Sequence, residues 1–437
     1  MQTLKNYFSS LLLYMILSYT FFACIAHVSI VFTIILYSII IIAPLLLNDT
    51  KTISFYAYSA CFMSCLGKSG FLIALNISLL LLESKKLVLA IKTKEHLAKI
   101  KKLFITWLSL LGIFTVYSVL YNKFHVHRMG MFIDFIQCVV VCALVSKNIN
   151  TKTVLLHLFV GIISSSIIGI MLNLTDTFSP FIAGHIENRF GAFFNNINTL
   201  AVYCTLCASC FISLILTHQL EFKKYCYFPI ISTLVGLLTY SKAFILINII
   251  LYLAWIILSF ISSSNKKRFC LIFILCIPII IFICIIAKDY IHRILNRFLN
   301  TNYDSIMENL TTGRAEIWKQ YIKRWLKSPI TFLFGNGYTA PKIASNQYEH
   351  SVYIALLFQF GVLGTACIIA LLIWSILRGG KLSKRVASYL PLALLLINGL
   401  VSNLSGVLCT CLPWLLVIHL MIVKPSSTIS EDSNLNS

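Results

Sequence analysis

The feature that most constrains this chain is its apolar continuity. From Tyr7 to Leu47 the sequence is almost unbroken hydrocarbon. About 20 such residues in a helix cross the hydrocarbon core of a bilayer. Runs of this kind recur at 7–24, 28–47, 53–67, 69–82, 103–121, 130–146, 153–174, 193–216, 226–240, 243–261, 269–287, 352–375, 388–403 and 405–423. The pair 53–67 and 69–82 is short for full crossings and is split by Lys68. The expected fold is therefore all-α, a polytopic membrane helical bundle of about 12–14 spans. Composition agrees, with 59% of the 437 residues hydrophobic and 11% charged, at a mean hydropathy of +0.89. A soluble domain is nearer one quarter charged. A soluble enzyme, a disordered chain and a conventional nucleic-acid-binding module are excluded.

Charge then orients the bundle. The chain carries 35 Lys and Arg against 14 Asp and Glu, a net charge of +21. In a soluble protein this would suggest nucleic acid. Here most cations fall in short connections between apolar runs, which reads as positive-inside loops beside anionic lipid. Five clusters stand out. They are Lys85 to Lys102, Lys147 with Lys152, Lys223 with Lys224, Lys266 to Arg268, and Arg378 to Arg385. Placing all five in the cytoplasm is consistent with single spans alternating between them and the outside. The 15 cysteines lie in or beside apolar runs without the His-bearing context of a zinc site, so they read as small helix residues. The first run is too long for a cleavable signal and reads as a start-transfer helix followed by a second span.

This parity places three regions on the outer, periplasmic face: Thr175 to Ala192, the turn at Ser241 and Lys242, and the long polar stretch 288–350. The chain divides into a first transmembrane part, 1–287; one large periplasmic loop with amphipathic helices, 288–350; C-terminal transmembrane helices, 351–423; and a polar cytoplasmic tail, 424–437, read as disordered. A loop of that length has either a function or its own structure.

The loop contains GRAEIWKQYIKRWLK at 313–327, with Ile317, Tyr321, Ile322 and Trp325 at helical spacing on one side. Lys319, Lys323, Arg324 and Lys327 give it a basic face, and Pro329 is expected to stop the helix. Such a helix can lie at a membrane surface or cap the bundle. A second amphipathic stretch runs from Tyr290 to Leu299. In FLFGNGY, Gly335 and Gly337 bracket Asn336, which suits a tight turn or a close backbone approach to a ligand. His350 follows at the mouth of a span, where imidazole can take a proton near neutral pH or serve as an interfacial polar residue.

On the first outer segment Arg189 precedes Gly191 and Ala192, and Asn195, Asn196 and Asn198 lead into a span. Amides there bind sugar hydroxyls or cap the helix, since burying them unbonded is costly. Lys242 between two apolar runs must face a cavity or snorkel to the interface. One outer face would thus gather Arg189, Lys242, Arg314 and His350. Three cations and a base suit a diphosphate substrate and an alcohol nucleophile. The acidic residues are scattered, so chemistry without a metal and without a cofactor is expected.

These motifs resemble the bacterial O-antigen ligase and O-antigen polymerase superfamily of integral membrane glycosyltransferases. The resemblance rests on RFGAFFNNINTLA from Arg189, TYSKAFILI from Thr239, TGRAEIW from Thr312, and the run from FGNGY to EHSVYIALLFQFGVLG. It implies a glycan donor carried on undecaprenyl diphosphate at the periplasmic face of the bacterial inner membrane. Transfer would go to a sugar hydroxyl of another lipid-linked repeat unit in a polymerase, or of the lipid A core in a ligase. It implies that Arg189 and Arg314 bind the diphosphate and that His350 is the base. Lys242 departs from the family's frequent Ser-Arg pair, keeping the charge but losing the bidentate fork. The spacing resembles polymerases more. A chain-length regulator and the pathway's flippase are candidate partners, and nucleic acid is not one. The reading from another class is a flippase for lipid-linked oligosaccharide. That reading predicts charges deep inside the spans, whereas the spans are nearly free of them apart from Asp134.

Overall fold

A computed structural model describes residues 10–26, 28–66, 68–93, 149–182, 189–194, 196–262, 266–267, 285, 288–299, 314–336, 351–378, 381–401 and 423–424. The expected spans 103–121, 130–146, 269–287 and 405–423 lie wholly or almost wholly outside these residues. The described chain is mostly helical. Thr151–Leu174 (α5), Ile197–Leu216 (α6) and Lys242–Ser262 (α9) are each long and apolar enough to cross a membrane. Shorter apolar helices run over Leu11–Ile25, Ile30–Leu46, Val352–Cys367 and Val386–Leu400. Two of them belong to the full elements Ser10–Ile25 (α1) and Ile30–Leu46 (α2).

The core forms around α6, of which 89% of the apolar window is buried, against 22% for α9. Small residues make this possible: Ala201, Cys204, Cys207, Ala208 and Cys210 are buried on α6. They let Tyr227–Leu237 (α8), α9 and Leu390–Val401 (α14) approach closely. The cysteines thus serve as small packing residues, and those on α6 are free thiols.

The expected short spans 53–67 and 69–82 take a different form. Asp49–Ser59 (α3) continues into a 3-10 turn over Ala60–Leu66 that departs from helical geometry at Phe62 (φ −114, ψ 24). The apolar run after Lys68 is part of one 26-residue helix, Lys68–Thr93 (α4). Segment 49–66 is buried on every side, including Ile53, Phe55, Tyr56, Ala57, Cys61 and Phe62. Phe62 holds it to the first outer segment through Phe193, with ring centroids 5.2 Å apart. A short apolar run is what a helix enclosed by other helices requires, since it need not match the bilayer thickness.

The helices have two distinct ends. At one, the Lys85 ammonium donates to the carbonyls of Pro44 (2.7 Å) and Leu47 (3.0 Å). Lys86 pairs with Asp49, and Lys152 stands 4.8 Å over the Tyr225 ring. Arg385 donates to the Thr217 carbonyl, and Ser213 to that of Ala387 (2.6 Å). Representatives of the expected cytoplasmic clusters therefore meet at a single end. A two-residue strand, Lys381–Leu382, pairs there with Val423–Lys424, so order reaches the first residue of the expected tail.

The region between α9 and Val352–Arg378 (α13) carries Lys288–Leu299 (α10), Arg314–Trp325 (α11) and Pro329–Phe334 (α12). Ile317 and Tyr321 of α11 are buried against Phe358 of α13, with Trp325 beside them. Ile322 does not share that face and is 40% exposed. Pro329 does not stop α11. It occupies the first turn of α12, where its missing N–H costs nothing, behind a Ser328–Thr331 capping box.

Candidate functional site

The end opposite the basic clusters is built by two turns that clasp each other. In the first, Phe181–Ile182 (β1) pairs antiparallel with Arg189–Phe190 (β2), setting Ile182 opposite Arg189. Phe190 is buried and its N–H donates to the Leu238 carbonyl (3.3 Å). The chain then reverses through Ala192, which is buried at φ +48, and the Phe193 carbonyl accepts from the Ser64 N–H (2.9 Å). Asn196 caps α6, its Oδ1 accepting from the Asn198 N–H (2.8 Å).

The second turn links α8 to α9. Thr239 Oγ1 donates to the Gly236 carbonyl (2.7 Å) and accepts from the Ser241 N–H (3.3 Å). Tyr240 adopts φ +49. Non-glycine residues in this region are strained and cluster at functional sites, and here one stands in each turn. Ser241 Oγ accepts from the Phe244 N–H (3.5 Å) and donates to Asn198 Oδ1 (3.4 Å). The guanidinium joins the turns, with Arg189 Nε donating to the Thr239 carbonyl at 2.8 Å.

Arg189, Asn196, Asn198, Ser241 and Lys242 are thereby gathered at one end of α6, α8 and α9. Lys242 is the first residue of α9 and only 9% exposed. Asn196 is exposed and Asn198 half-buried. Asn195 and His350 lie outside the described residues. Ser351, next to His350 in sequence, is buried and donates to the Gly399 carbonyl (3.4 Å). Arg314, half-buried, opens α11 on a separate element.

Lys242 and Arg314 share one electrostatic property. Each stands at the N-terminus of its helix, where the backbone dipole is positive and a cation is disfavoured. An anion placed there gains from the side chain and from the helix end together. Sequence reasoning found both cations but not Ser241 as a site residue, nor the Thr239 carbonyl that orients Arg189. No side-chain pattern encodes a carbonyl contact across 50 residues. A polar tetrad, Thr239 to Lys242, between two apolar runs was the available signal.

The close backbone approach expected at Gly335 is present, and its partner is the chain itself. Gly335 (φ +79) abuts Gly361 (φ +63), where α13 breaks. The Asn336 N–H donates to the Phe358 carbonyl at 2.7 Å.

No curated protein and no solved structure matches this chain. Residues 228–369 match the family described as O-antigen ligase, a stretch from α8 into α13 that includes Lys242 and Arg314 but not Arg189. Over that stretch the chain is similar to the O-antigen ligase and polymerase superfamily.

Proposed function

We propose that this protein is an O-antigen or related surface-polysaccharide polymerase. It transfers a glycan from undecaprenyl diphosphate to a sugar hydroxyl of a second lipid-linked repeat unit, at the periplasmic face of the bacterial inner membrane. The observation that carries the reading is the pair of cations at helix N-termini, Lys242 on α9 and Arg314 on α11, inside the family match. With Arg189 they suit a substrate bearing several negative charges.

In this mechanism His350 removes the proton of the acceptor hydroxyl. The oxygen attacks the anomeric carbon of the donor, and the bond from that carbon to the diphosphate oxygen breaks. Undecaprenyl diphosphate departs with the electron pair. Arg189, Arg314 and Lys242 stabilise its charge, the role that preorganised cations fill in phosphate-leaving reactions. Asn195, Asn196 and Asn198 are the candidates for holding the glycan. The chemistry uses the chain's own cations in place of a metal. A chain-length regulator and the flippase of the pathway are the proposed protein partners.

The family match supports equally a second reading, the ligase, which would pass the same glycan to lipid A core. A gel profile of lipopolysaccharide and of lipid-linked intermediates from a strain lacking the gene separates the two. Core bearing one repeat unit without a ladder identifies the polymerase. Bare core with long chains on the lipid carrier identifies the ligase. An unchanged ladder overturns the ligase and an O-antigen polymerase, and directs the same profile to capsule, to another acceptor or to the flippase reading.

A further inference from the structure

The segment 314–336 is fastened to α13 at three points that converge on Phe358 and its neighbours. The Tyr321 ring meets the Phe358 ring edge-on, at 5.0 Å and 79°. Asn336 donates twice to the Phe358 carbonyl, from its backbone N–H (2.7 Å) and from Nδ2 (3.4 Å). Gly335 and Gly361 press backbone against backbone. A Cβ on Gly335 would lie 2.5 Å from Gly361 N, and one on Gly361 would lie 2.5 Å from Gly335 N. Both have positive φ, so only glycine satisfies either position without strain.

The segment between the clasp and Arg314 is itself rigid. The Trp325 indole stacks on Phe332 at 5.2 Å and its Nε1 donates to the Phe332 carbonyl (3.1 Å). Thr331 Oγ1 donates to the Trp325 carbonyl (2.8 Å) while sharing the capping box with Ser328. Helices α11 and α12 are thus tied to each other, and α11 begins at Arg314 two turns before Tyr321.

We infer that Gly335, Asn336 and Gly361 are positioning residues for Arg314. The break in α13 receives the end of segment 314–336, and the rigid pair α11–α12 transmits that seat to the guanidinium-bearing end of α11. The inference rests on the reading above in one respect, that Arg314 meets the diphosphate. It differs from a lid, since the contacts are backbone to backbone and fix one geometry.

The test is a double-mutant cycle on undecaprenyl diphosphate binding to the full-length protein in nanodiscs. Arg314→Ala is expected to weaken binding about 10- to 100-fold, the range for a lost hydrogen bond to a charged group. Gly335→Ala is expected to reach the same order while lowering the thermal midpoint, since its Cβ meets backbone at 2.5 Å. The double variant is expected to bind no more weakly than Arg314→Ala alone, because a displaced arginine and an absent one are equivalent. Asn336→Asp, which sets an acceptor against the Phe358 carbonyl, carries the same cycle if Gly335→Ala does not fold. Asn336→Ala removes only the Nδ2 contact and is expected to lose less. Multiplying losses overturn the inference, as does unchanged binding in Gly335→Ala and Asn336→Asp or in Arg314→Ala. Failure of the polymerase reading is seen separately, as no chain extension by the wild-type protein from lipid-linked repeat units while the binding cycle still closes.

Discussion

The two ends of the bundle hold their cations in opposite ways. At the basic end, Lys85 and Arg385 donate to the carbonyls that close α2 and α6, the negative ends of those helices. Lys86 meets a carboxylate and Lys152 an aromatic face. Every one of these cations has a local electrostatic reason to be there. At the other end Lys242 begins a helix, against the dipole, while buried, and Arg314 begins another on a separate element. Arg189 follows the first pattern, donating to the Thr239 carbonyl. A cation that stabilises its own fold explains itself. On the proposed function, a cation set at a positive helix end is placed to meet the anion of the substrate.

The largest effects are expected where that contrast is sharpest. His350→Ala is expected to abolish chain extension with membrane levels intact. Lys242→Met and Arg189→Ala are each expected to reduce extension about 100-fold, the scale of losing one charge-stabilising donor. The two differ in stability. Lys242→Met keeps the apolar stem and removes the charge from a positive helix end, so its thermal midpoint is expected to fall less than that of Arg189→Ala. Arg189→Ala loses the bond that joins the turns and is expected to melt lower. Equal destabilisation of both would make Lys242 a structural residue and erase the contrast.

At the basic end the order reverses. Lys86→Met leaves Asp49 as a nearly buried charge without its partner, with side chains 16% and 10% exposed in the pair. Breaking such a pair costs about 3 kcal/mol, read as a lower unfolding midpoint with activity per folded molecule unchanged. Adding Asp49→Asn should recover much of the loss. If Lys86→Met instead abolished transfer in folded protein, the two ends would not divide fold from function.

Much of this was legible in the sequence because apolar length is a direct physical requirement of the bilayer. The run 243–261 is the helix Lys242–Ser262, and 153–174 is Thr151–Leu174. Where the run began at 193, the helix begins at Ile197, because Asn196 caps it and the Ala192 turn consumes Phe193 and Phe194. Hydropathy does not distinguish a helix facing lipid from one enclosed by helices, so 53–67 reads as a span, though a short one, where the enclosed segment 49–66 lies. The break at Gly361 was invisible for another reason. FQFGVLG is as apolar as its surroundings, and the partner that stabilises the break, Gly335 with Asn336, comes from a different part of the chain. For Ile322, spacing alone allowed it onto the aromatic face of α11, but the cluster at Phe358 takes in Ile317, Tyr321 and Trp325 and leaves Ile322 40% exposed. Among the site residues, Arg189 and Lys242 were found by their charge, while their mutual placement depends on the Thr239 carbonyl.

A smaller effect is expected in the packing that supports the second turn. Gly236 on α8 leaves room for the Phe244 ring, and a Cβ there would also come within 3.0 Å of Cys204 Cβ. Gly236→Ala overfills this contact and is expected to cost about 1–3 kcal/mol. Because Phe244 lies two residues from Lys242 in the first turn of α9, some loss of transfer should accompany it.

The smallest effect tests whether the basic end contributes by charge placement alone. Lys152 stands over the Tyr225 ring at 4.8 Å, a contact worth about 0.5–1 kcal/mol where partly exposed. Lys152→Ala is expected to shift the unfolding midpoint by little more than that and to leave chain extension unchanged. On the proposed topology its wider role is orientation, shared with Lys85, Lys223 and Arg385, because short loops are held inside by their summed Lys and Arg. A reporter fused after Lys384 should therefore read cytoplasmic, and one after Gly337 periplasmic, with or without Lys152. If the single substitution inverted the pair of reporters, orientation would hang on one residue. The contrast between the ends would then be a matter of topology, and the cations of α9 and α11 would need a cytoplasmic anion instead.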